Sequence, residues 1–439
     1  MKARKAHRAA TASAEAAVAA TEAGGEPACR PGAAPGPDAR VTPTAPTAPT
    51  APTATRSPAR DLGRPVGSVV AAAMLLPGVF QAARAEGKPD SASVSLHTLA
   101  YQDSQPGLKR ISVYSPQFNV VAPLGDEDWW LNGTLVYDAV SGASPRYHTA
   151  ISGASRMSDR RTAGDVAVTR YFRRTSVALG LAGSTERDYK SLAGSLDVRW
   201  ASEDQNTELS FGIGGSGDKI DPVNQVVVDE ARSTQQVSIG VTQVASRTDV
   251  LQLTLSHSDG KGYYSDPYKT LDRRPRERRQ SVLMLRWNHH FAEGGSTLRN
   301  SWRAYLDSFG VQSHTLQLEW VVPLGDALKI SPLLRLYTQT AADFYADAVY
   351  DPVLGEPFPL GYSNANPPRF ITLDQRLSAF GAVAAGLGFA YALDNAWTVD
   401  GKLEAYEQRG NWAWDGNGSK GLAPFRAYQV QLGVTRKFR

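Results

Sequence analysis

Cysteine is almost missing from this chain: among 439 residues, Cys29 carries the one thiol. It lies in an N-terminal stretch that is expected to be removed on export, so the remainder would hold no thiol. This excludes disulfide bonds, thiolate metal sites and a cysteine nucleophile in the mature protein. Its fold must therefore be stabilised by burial and backbone pairing.

The chain also lacks an apolar run long enough for a membrane-spanning helix, which needs roughly 20 residues. The run 66–80 is interrupted by Gly and Pro, follows Arg60 and Arg64, and precedes Ala83-Arg84-Ala85. This pattern predicts a signal peptide over 65–85, cleaved after Ala85. Residues 1–64, rich in Ala, Pro and Thr, are expected to be a disordered extension. Either the leader is extended or translation begins near Arg60, and the second interpretation is favoured.

Once the leader is removed, no excess of either charge remains. Residues 86–439 hold 37 basic and 38 acidic side chains, so the sequence pI of about 9.0 comes from the leader. A nucleic-acid partner is therefore not expected.

Helical periodicity is missing from Ser91 onward, and strand-like alternation takes its place. In one example, Leu209, Phe211 and Ile213 alternate with Ser210 and Gly212. Tight turns are expected at 125–128, 173–175, 203–206, 246–249, 293–296, 325–327 and 394–396, and longer connections at 103–109, 141–164, 185–192, 215–234, 258–279, 307–313, 342–376 and 408–425. This regular asymmetry predicts an all-β fold over 86–439: an antiparallel up-and-down transmembrane β-barrel of about 16 strands.

A large soluble β-sandwich or propeller would also alternate. The short and long connections favour the barrel, and so do aromatic residues near strand ends, which are typical of membrane interfaces. These aromatic residues are Trp129, Trp130, Phe172, Trp200, Trp287, Trp320 and Trp397.

The polar face of the predicted strands carries charge in mid-strand, as the lining of an aqueous pore would. The pore-lining candidates are Asp197, Arg199, Arg286, Arg303, Glu319, Arg335, Asp400, Lys402 and Glu404. Their mixed signs predict a modest ion preference.

The last strand resembles the signal that the barrel-assembly machinery reads. In Tyr428–Arg439, apolar residues alternate with polar ones, and Gln431, Gly433 and Phe438 match the usual polar-x-Gly-x-x-aromatic-x-aromatic form. Arg436 stands where an apolar residue is expected, and Arg439 follows the usual terminal Phe. The assembly machinery is therefore an expected partner.

A broader resemblance covers most of the mature chain. Residues 141–147 (SGASPRY), 158–165 (SDRRTAGD), 221–224 (DPVN) and 374–380 (DQRLSAF) resemble recurring segments of the bacterial family of unknown function numbered 3570. Members of that family are taken to be outer-membrane β-barrels. The resemblance implies a location and supplies no substrate, cofactor or catalytic residue.

Two long connections are candidates for a role in selection. Residues 141–164 carry Arg146, Asp159, Arg160 and Arg161, which are candidates for a loop that constricts the pore; the alternative is a surface loop with paired charges. Residues 342–376 combine aromatic side chains with carboxylates, either as a mouth that binds sugars or cations or as a loop packed on itself.

Sites for chemistry are weakly supported by the sequence. The acidic residues Asp218, Asp221, Asp229 and Glu230 lack the spacing of a calcium loop. The neighbours Ser256-His257 and Ser313-His314 lack a nucleophile elbow. We therefore expect no enzyme, cofactor or metal site.

The resulting hypothesis is an outer-membrane, porin-like passive channel for small solutes, embedded in outer-membrane lipid. The alternative is a non-conducting barrel that acts as a sheath or docking partner for a periplasmic or redox component.

Overall fold

The computed structural model describes residues 88–106, 108–145, 154–269, 271–350 and 357–438. The predicted extension, signal peptide and Cys29 lie outside these residues. The strands are β1 (Ala92–Gln105), β2 (Leu108–Leu124), β3 (Asp126–Pro145), β4 (Ala154–Tyr171), β5 (Thr175–Thr185), β6 (Tyr189–Ala201), β7 (Thr207–Ile220), β8 (Glu230–Val244), β9 (Asp249–Gly262), β10 (Asp272–Arg273), β11 (Glu277–Phe291), β12 (Ser296–Asp307), β13 (Gln312–Leu324), β14 (Leu328–Gln339), β15 (Val349–Tyr350), β16 (Pro357–Phe358), β17 (Ile371–Thr372), β18 (Phe380–Ala392), β19 (Trp397–Arg409) and β20 (Phe425–Phe438). Short 3₁₀ turns span Gln375–Leu377 and Gly410–Trp412.

Sixteen of these strands close into one antiparallel barrel, in the order β1–β9, β11–β14 and β18–β20. The barrel closes where β1 pairs with β20, with Ala92 opposite Phe438 and Ser104 opposite Arg426. Closure satisfies the backbone hydrogen bonds that an open sheet edge would leave unpaired. The predicted fold class and strand number are confirmed. In the described part of the chain, no helix is both long and apolar enough to cross a membrane.

Strand alternation separates an apolar outer face from a polar inner face. Large side chains such as Leu181, Leu209 and Leu253 are exposed on the outside, while their neighbours in sequence point inward. Soluble proteins rarely leave so much apolar surface in water, whereas a lipid-facing belt requires it. The molecule is an outer-membrane-type barrel.

The strands run further than a minimal membrane crossing needs. β1 continues to Gln105 and β2 resumes at Leu108, so the connection expected over 103–109 is a tight turn. Likewise, β3 and β4 pair as far as Pro145 opposite Ala154. The ladder continues above the membrane because pairing satisfies backbone groups there too. At the opposite rim, Gly125 and Gly325 have positive φ values of 71° and 69° in short turns.

Aromatic side chains ring the outer wall on the short-turn side, several of them under an arginine. Arg170 lies 5.0 Å from the ring centroids of both Trp129 and Phe172, and Arg174 lies 4.9 Å from that of Trp200. The prediction was wrong for Trp130, which faces inward and packs with Val121 and Tyr171. Adjacent residues of a strand point to opposite faces, so Trp129 and Trp130 cannot both face lipid.

The closing strand places its signal residues on both faces. Gln431 and Gly433 point inward, whereas Phe438 points outward. A side chain at Gly433 would clash with the His97 imidazole. Arg436, the departure from the usual pattern, lies between Trp397 and Phe438 at 5.2 and 4.9 Å from their ring centroids. It therefore belongs to the interfacial aromatic ring.

Candidate functional site: the lumen and its capped mouth

The nine predicted pore-lining residues all lie on inward-facing strand positions. Asp197 and Arg199 lie on β6, Arg286 on β11, Arg303 on β12, Glu319 on β13, Arg335 on β14, and Asp400, Lys402 and Glu404 on β19. They are distributed around the wall, and the structure brings only some of them together.

Arg335, Lys402 and Glu404 form one charge cluster. Arg335 Nη1 donates to Glu404 Oε1 at 3.0 Å, and Lys402 Nζ donates to Glu404 Oε2 at 2.5 Å. Between β14 and β19, the inner face of β18 carries only small residues here, Ala384 and Gly386, which leaves room for these side chains to meet. The two cations of Arg335 and Lys402 therefore compensate the negative charge of Glu404, and all three side chains are largely buried.

Further pairs hold other wall charges. Glu319 lies 3.7 Å from Arg299, and Asp400 lies 3.3 Å from His97. Ion pairing of this kind reduces the net field that a passing solute would meet.

Three of the four predicted constriction residues lie in a strand and not in a loop. Asp159, Arg160 and Arg161 belong to β4, because the strand continues past the expected membrane edge. Arg161 points inward and is 2% exposed, whereas Arg160 is exposed. Arg146 and the side chain of Asp159 lie outside the described residues.

Arg161 is the centre of a buried charged group near the long-connection end of the lumen. Its guanidinium lies 3.4 Å from Asp138, its cross-strand partner, and 3.8 Å from Glu186 in the β5–β6 turn. Sequence reasoning missed both carboxylates. Asp138 precedes the expected connection 141–164, so the alternation of β3 already placed it on the inner face, opposite the side of Leu135 and Tyr137.

Exposure divides the inner wall into two parts. We call β14, β18–β20 and β1–β6 the packed arc, because most of its inner side chains are buried, including Asp400 at 2% and Lys402 at 6% exposed. We call β7, β8 and β11–β13, with β9 between them, the open arc, because many of its mid-wall inner side chains, such as Gln236, Ser238 and Arg286, remain partly exposed. The inner side chains of β9 are an exception, since Gln252 and Ser256 are buried.

At the long-connection rim, two connections fold together into a cap, which we define as residues 263–269, 271–276, 340–350 and 357–379. The two-residue strands β10 and β17 join them, with Asp272 opposite Thr372. An apolar seam then attaches the cap to the rim of β11–β13. Its members include Val282, Tyr305, Phe309, Val311, Ala342 and Leu377. The interpretation of the longest connection as a self-packed loop therefore fits its described residues.

A buried ion cluster holds the two halves of the cap together. Arg274 donates to Asp272 at 2.8 Å and to Asp374 at 2.7 Å, while Arg376 contacts Asp374 at 2.5 Å and Asp266 at 3.3 Å. The cluster comes from two copies of the pattern Leu-Asp-x-Arg, at 271–274 and 373–376. That repeat is the sequence signal that would have found it.

The electrostatics of the cluster favour a charged Asp374. Burial opposes its ionisation, but Arg376, Arg274 and Lys269 together hold its pKa well below the usual range. Burial raises the pKa of Asp272, although Arg274 acts against that rise. The cluster is therefore stable with Asp374 ionised, and Asp272 is the carboxyl that takes up a proton more readily.

The final connection, 410–424, ties the cap to the outside of the barrel. The backbone N–H of Trp414 donates to Thr338 Oγ1 at 3.1 Å, and Ser419 Oγ accepts from the Ala379 N–H at 2.9 Å. On the outer wall, the His314 imidazole is parallel to the rings of Trp302 and Trp414. His314 is thus a packing residue in an aromatic stack.

The other residues considered for chemistry have separate partners. Asp218 pairs with Arg232, Asp229 with Lys219, and Glu230 with Arg276. His257 contacts Ser281 across the outer face rather than Ser256. In the described ranges, no group of three or more His, Asp or Glu side chains is arranged to hold a metal ion.

Comparison with known proteins gives a family and several structural likenesses. The family model described as "Protein of unknown function (DUF3570)" matches residues 66–168, 151–231 and 224–425. No curated protein sequence matches the chain. A bacterial polysaccharide outer membrane secretin is 8% identical with a TM-score of 0.47, covering 80% of this chain and 99% of its own.

Two solved channel structures are similar to this chain at comparably low sequence identity. The CymD monoaromatic hydrocarbon channel is 10% identical with a TM-score of 0.39, over 80% of this chain and 89% of its own. OccK2 (OpdF) of Pseudomonas aeruginosa in complex with glucuronate is 9% identical with a TM-score of 0.40, over 80% and 98%. Likenesses of this size transfer no function, and the fold assignment rests on the strand pairing.

Proposed function

The chain belongs to DUF3570, a family of proteins of unknown function, and we propose that it forms a passive, non-enzymatic outer-membrane channel for small solutes. The observation that carries the proposal is the open arc: many of its polar mid-wall inner side chains stay partly exposed in a barrel of sixteen strands. A barrel of this strand number leaves an aqueous lumen unless it is plugged.

In this mechanism, solutes diffuse along the open arc and are sorted by size and charge. The arc offers hydroxyl and amide groups, with Arg286, Arg303 and Glu319 as its predicted charged contacts. Because many wall charges are paired, we expect weak ion selectivity. The cap limits the size of solutes that enter from the long-connection side.

The test is single-channel conductance of the full chain in planar bilayers, with a matched pair of charge reversals on β11. Arg286→Glu changes the inner face, whereas Arg279→Glu changes an exposed outer position of the same strand. We expect ohmic steps with a cation-to-anion permeability ratio near one, shifted toward cations by Arg286→Glu alone. Equal shifts in both variants would contradict a path along the inner wall.

The second candidate is a non-conducting barrel that acts as a sheath or docking partner. The packed arc and the cap favour it, because together they fill part of the lumen and cover its mouth. Absence of conductance steps in correctly folded protein would support this candidate and end the channel proposal.

A further inference from the structure

Three lysines lie together on the outer face, at the long-connection ends of neighbouring strands. They are Lys190 on β6, Lys219 on β7 and Lys261 on β9. Lys190 stands directly opposite Lys219 in the ladder, and Lys261 stands opposite Ser233 on β8. Together with seven other residues, they line a shallow hollow of about 570 Å³. Asp218 and Arg232 belong to this lining and form an ion pair with each other at 2.8 Å.

The floor of this hollow is open because the residues between the lysines are small. Gly217, Ala231 and Ser233 supply its base, and Leu192 closes its lower side. A ligand can therefore approach the backbone surface with ammonium groups on either side.

The position of the hollow matches the upper edge of the membrane belt. Leu192, two residues from Lys190 on the same face, is 68% exposed, and Ile213 and Leu255 are exposed lower on the neighbouring strands. Long connections of such barrels face the outside. The lysines therefore lie where acyl chains give way to the headgroups of the outer leaflet.

The charges of the group are only partly compensated. Lys219 lies 2.7 Å from Asp229, and Lys261 lies 3.7 Å from Glu277, but all four side chains are well exposed, so these pairs are weak. Among the described residues, no acidic side chain lies within ion-pair distance of the Lys190 ammonium. In the next row toward the membrane, Asp259 lies opposite Arg279 in the ladder, so the two opposite charges compensate each other.

Two like charges that face each other across a ladder destabilise it unless an ion of opposite sign lies between them. Basic pockets on membrane proteins recognise anionic headgroups for this reason. We propose that Lys190, Lys219 and Lys261 bind the phosphate groups of a phosphorylated lipid of the outer leaflet. This inference is independent of whether the lumen conducts.

The test compares two double variants of equal charge change, both folded as the full chain in detergent micelles. Lys190→Gln/Lys219→Gln removes the facing pair, and Lys109→Gln/Lys420→Gln removes two exposed lysines elsewhere on the same side. The probe is diphosphoryl lipid A, with its retention followed by native mass spectrometry. Loss of the facing pair should weaken retention roughly 30-fold, about 2 kcal/mol for two basic groups at an anionic surface.

The control double variant should retain the lipid as the wild type does. Equal loss in both variants, or no loss in the first, would overturn the proposal. Millimolar inorganic phosphate should not displace the lipid; complete displacement would show a free-phosphate site and overturn the lipid assignment.

Ala231→Glu provides a second, independent variant. It keeps all three lysines and places a carboxylate beside them, so binding should fall while heat-modifiable gel mobility reports a folded barrel. Unchanged binding in this variant would also contradict the proposal. Conductance should be the same in every variant.

Discussion

The packed arc and the open arc share one hydrogen-bonded ladder and differ in what stands on its inner face. In the packed arc, inner polar groups are bonded to one another: Asn119 Nδ2 donates to Asn132 Oδ1 at 2.8 Å, and Arg335 donates to Glu404 at 3.0 Å. In the open arc, hydroxyl and amide side chains such as Ser238 and Gln236 remain partly exposed. Under the proposed function, charges in the first region stabilise the wall, whereas Arg286 in the second is the charge expected to contact a solute.

The largest expected difference between the arcs is in stability. Arg161→Gln leaves Asp138 and Glu186 buried without their cation, which costs about 3–5 kcal/mol for a broken buried pair. Arg286→Gln on the open arc should cost less than about 1 kcal/mol, since a partly solvated site can rehydrate. The measurement is the temperature at which the compact gel band of each variant is lost. If the two variants lower this temperature by the same amount, the two arcs do not differ in how their charges contribute to stability.

The second effect concerns the cap, whose apolar seam packs against the rim of the open arc at β11–β13. Arg274→Met leaves Asp272 and Asp374 without their shared partner, so the two halves of the cap should separate while the barrel stays closed. Hydrogen exchange over residues 371–376 should quicken, and conductance should rise if the open arc is the path. Arg273→Met, at the adjacent exposed position, is the matched control and should change neither. If the halves of the cap separate and conductance stays unchanged, the conducting path does not pass beneath the cap.

Alternation and connection length predicted the strands and turns because both are local properties of a barrel. They also placed all nine candidate charges on the inner face. The cap could not be predicted in this way, because Asp272 and Asp374 meet across 102 positions and no local period links them. Arg161 was assigned to a loop because residues 141–164 were interpreted as one long connection, whereas the β3–β4 ladder continues through its second half. Trp130 was assigned to the outer aromatic ring because it lies near a strand end, although its neighbour Trp129 already required it to face inward.

A smaller effect is expected in the reactivity of introduced thiols. With Cys29 replaced by Ser, the chain accepts single cysteines on either arc. Ser238→Cys on β8 should react with a water-soluble thiol reagent at least roughly tenfold faster than Ser184→Cys on β5, which is buried. Labelling rates in detergent, followed by mass spectrometry, measure the difference. Similar rates would mean that water reaches the packed arc as well.

The smallest expected effect is that of mild acid on the cap. A carboxylate with a lowered folded-state pKa contributes stability that is fully present above its unfolded pKa, about 3.9, and is lost only as pH falls through the folded value. Asp374 is such a group. Asp272, whose pKa is raised by burial, gains stability as it protonates, so it opposes opening.

Hydrogen exchange over residues 371–376, corrected for intrinsic rates, should therefore show at least as much protection at pH 4.5 as at pH 7. Asp374→Asn should lower protection at both pH values, because the variant removes the charge that Arg274 and Arg376 share. Loss of this protection in the wild type with a midpoint between pH 5 and 6 would mean that another titrating group controls the cap. The ion cluster of Arg274, Asp374 and Arg376 would then not be what keeps the two halves of the cap together.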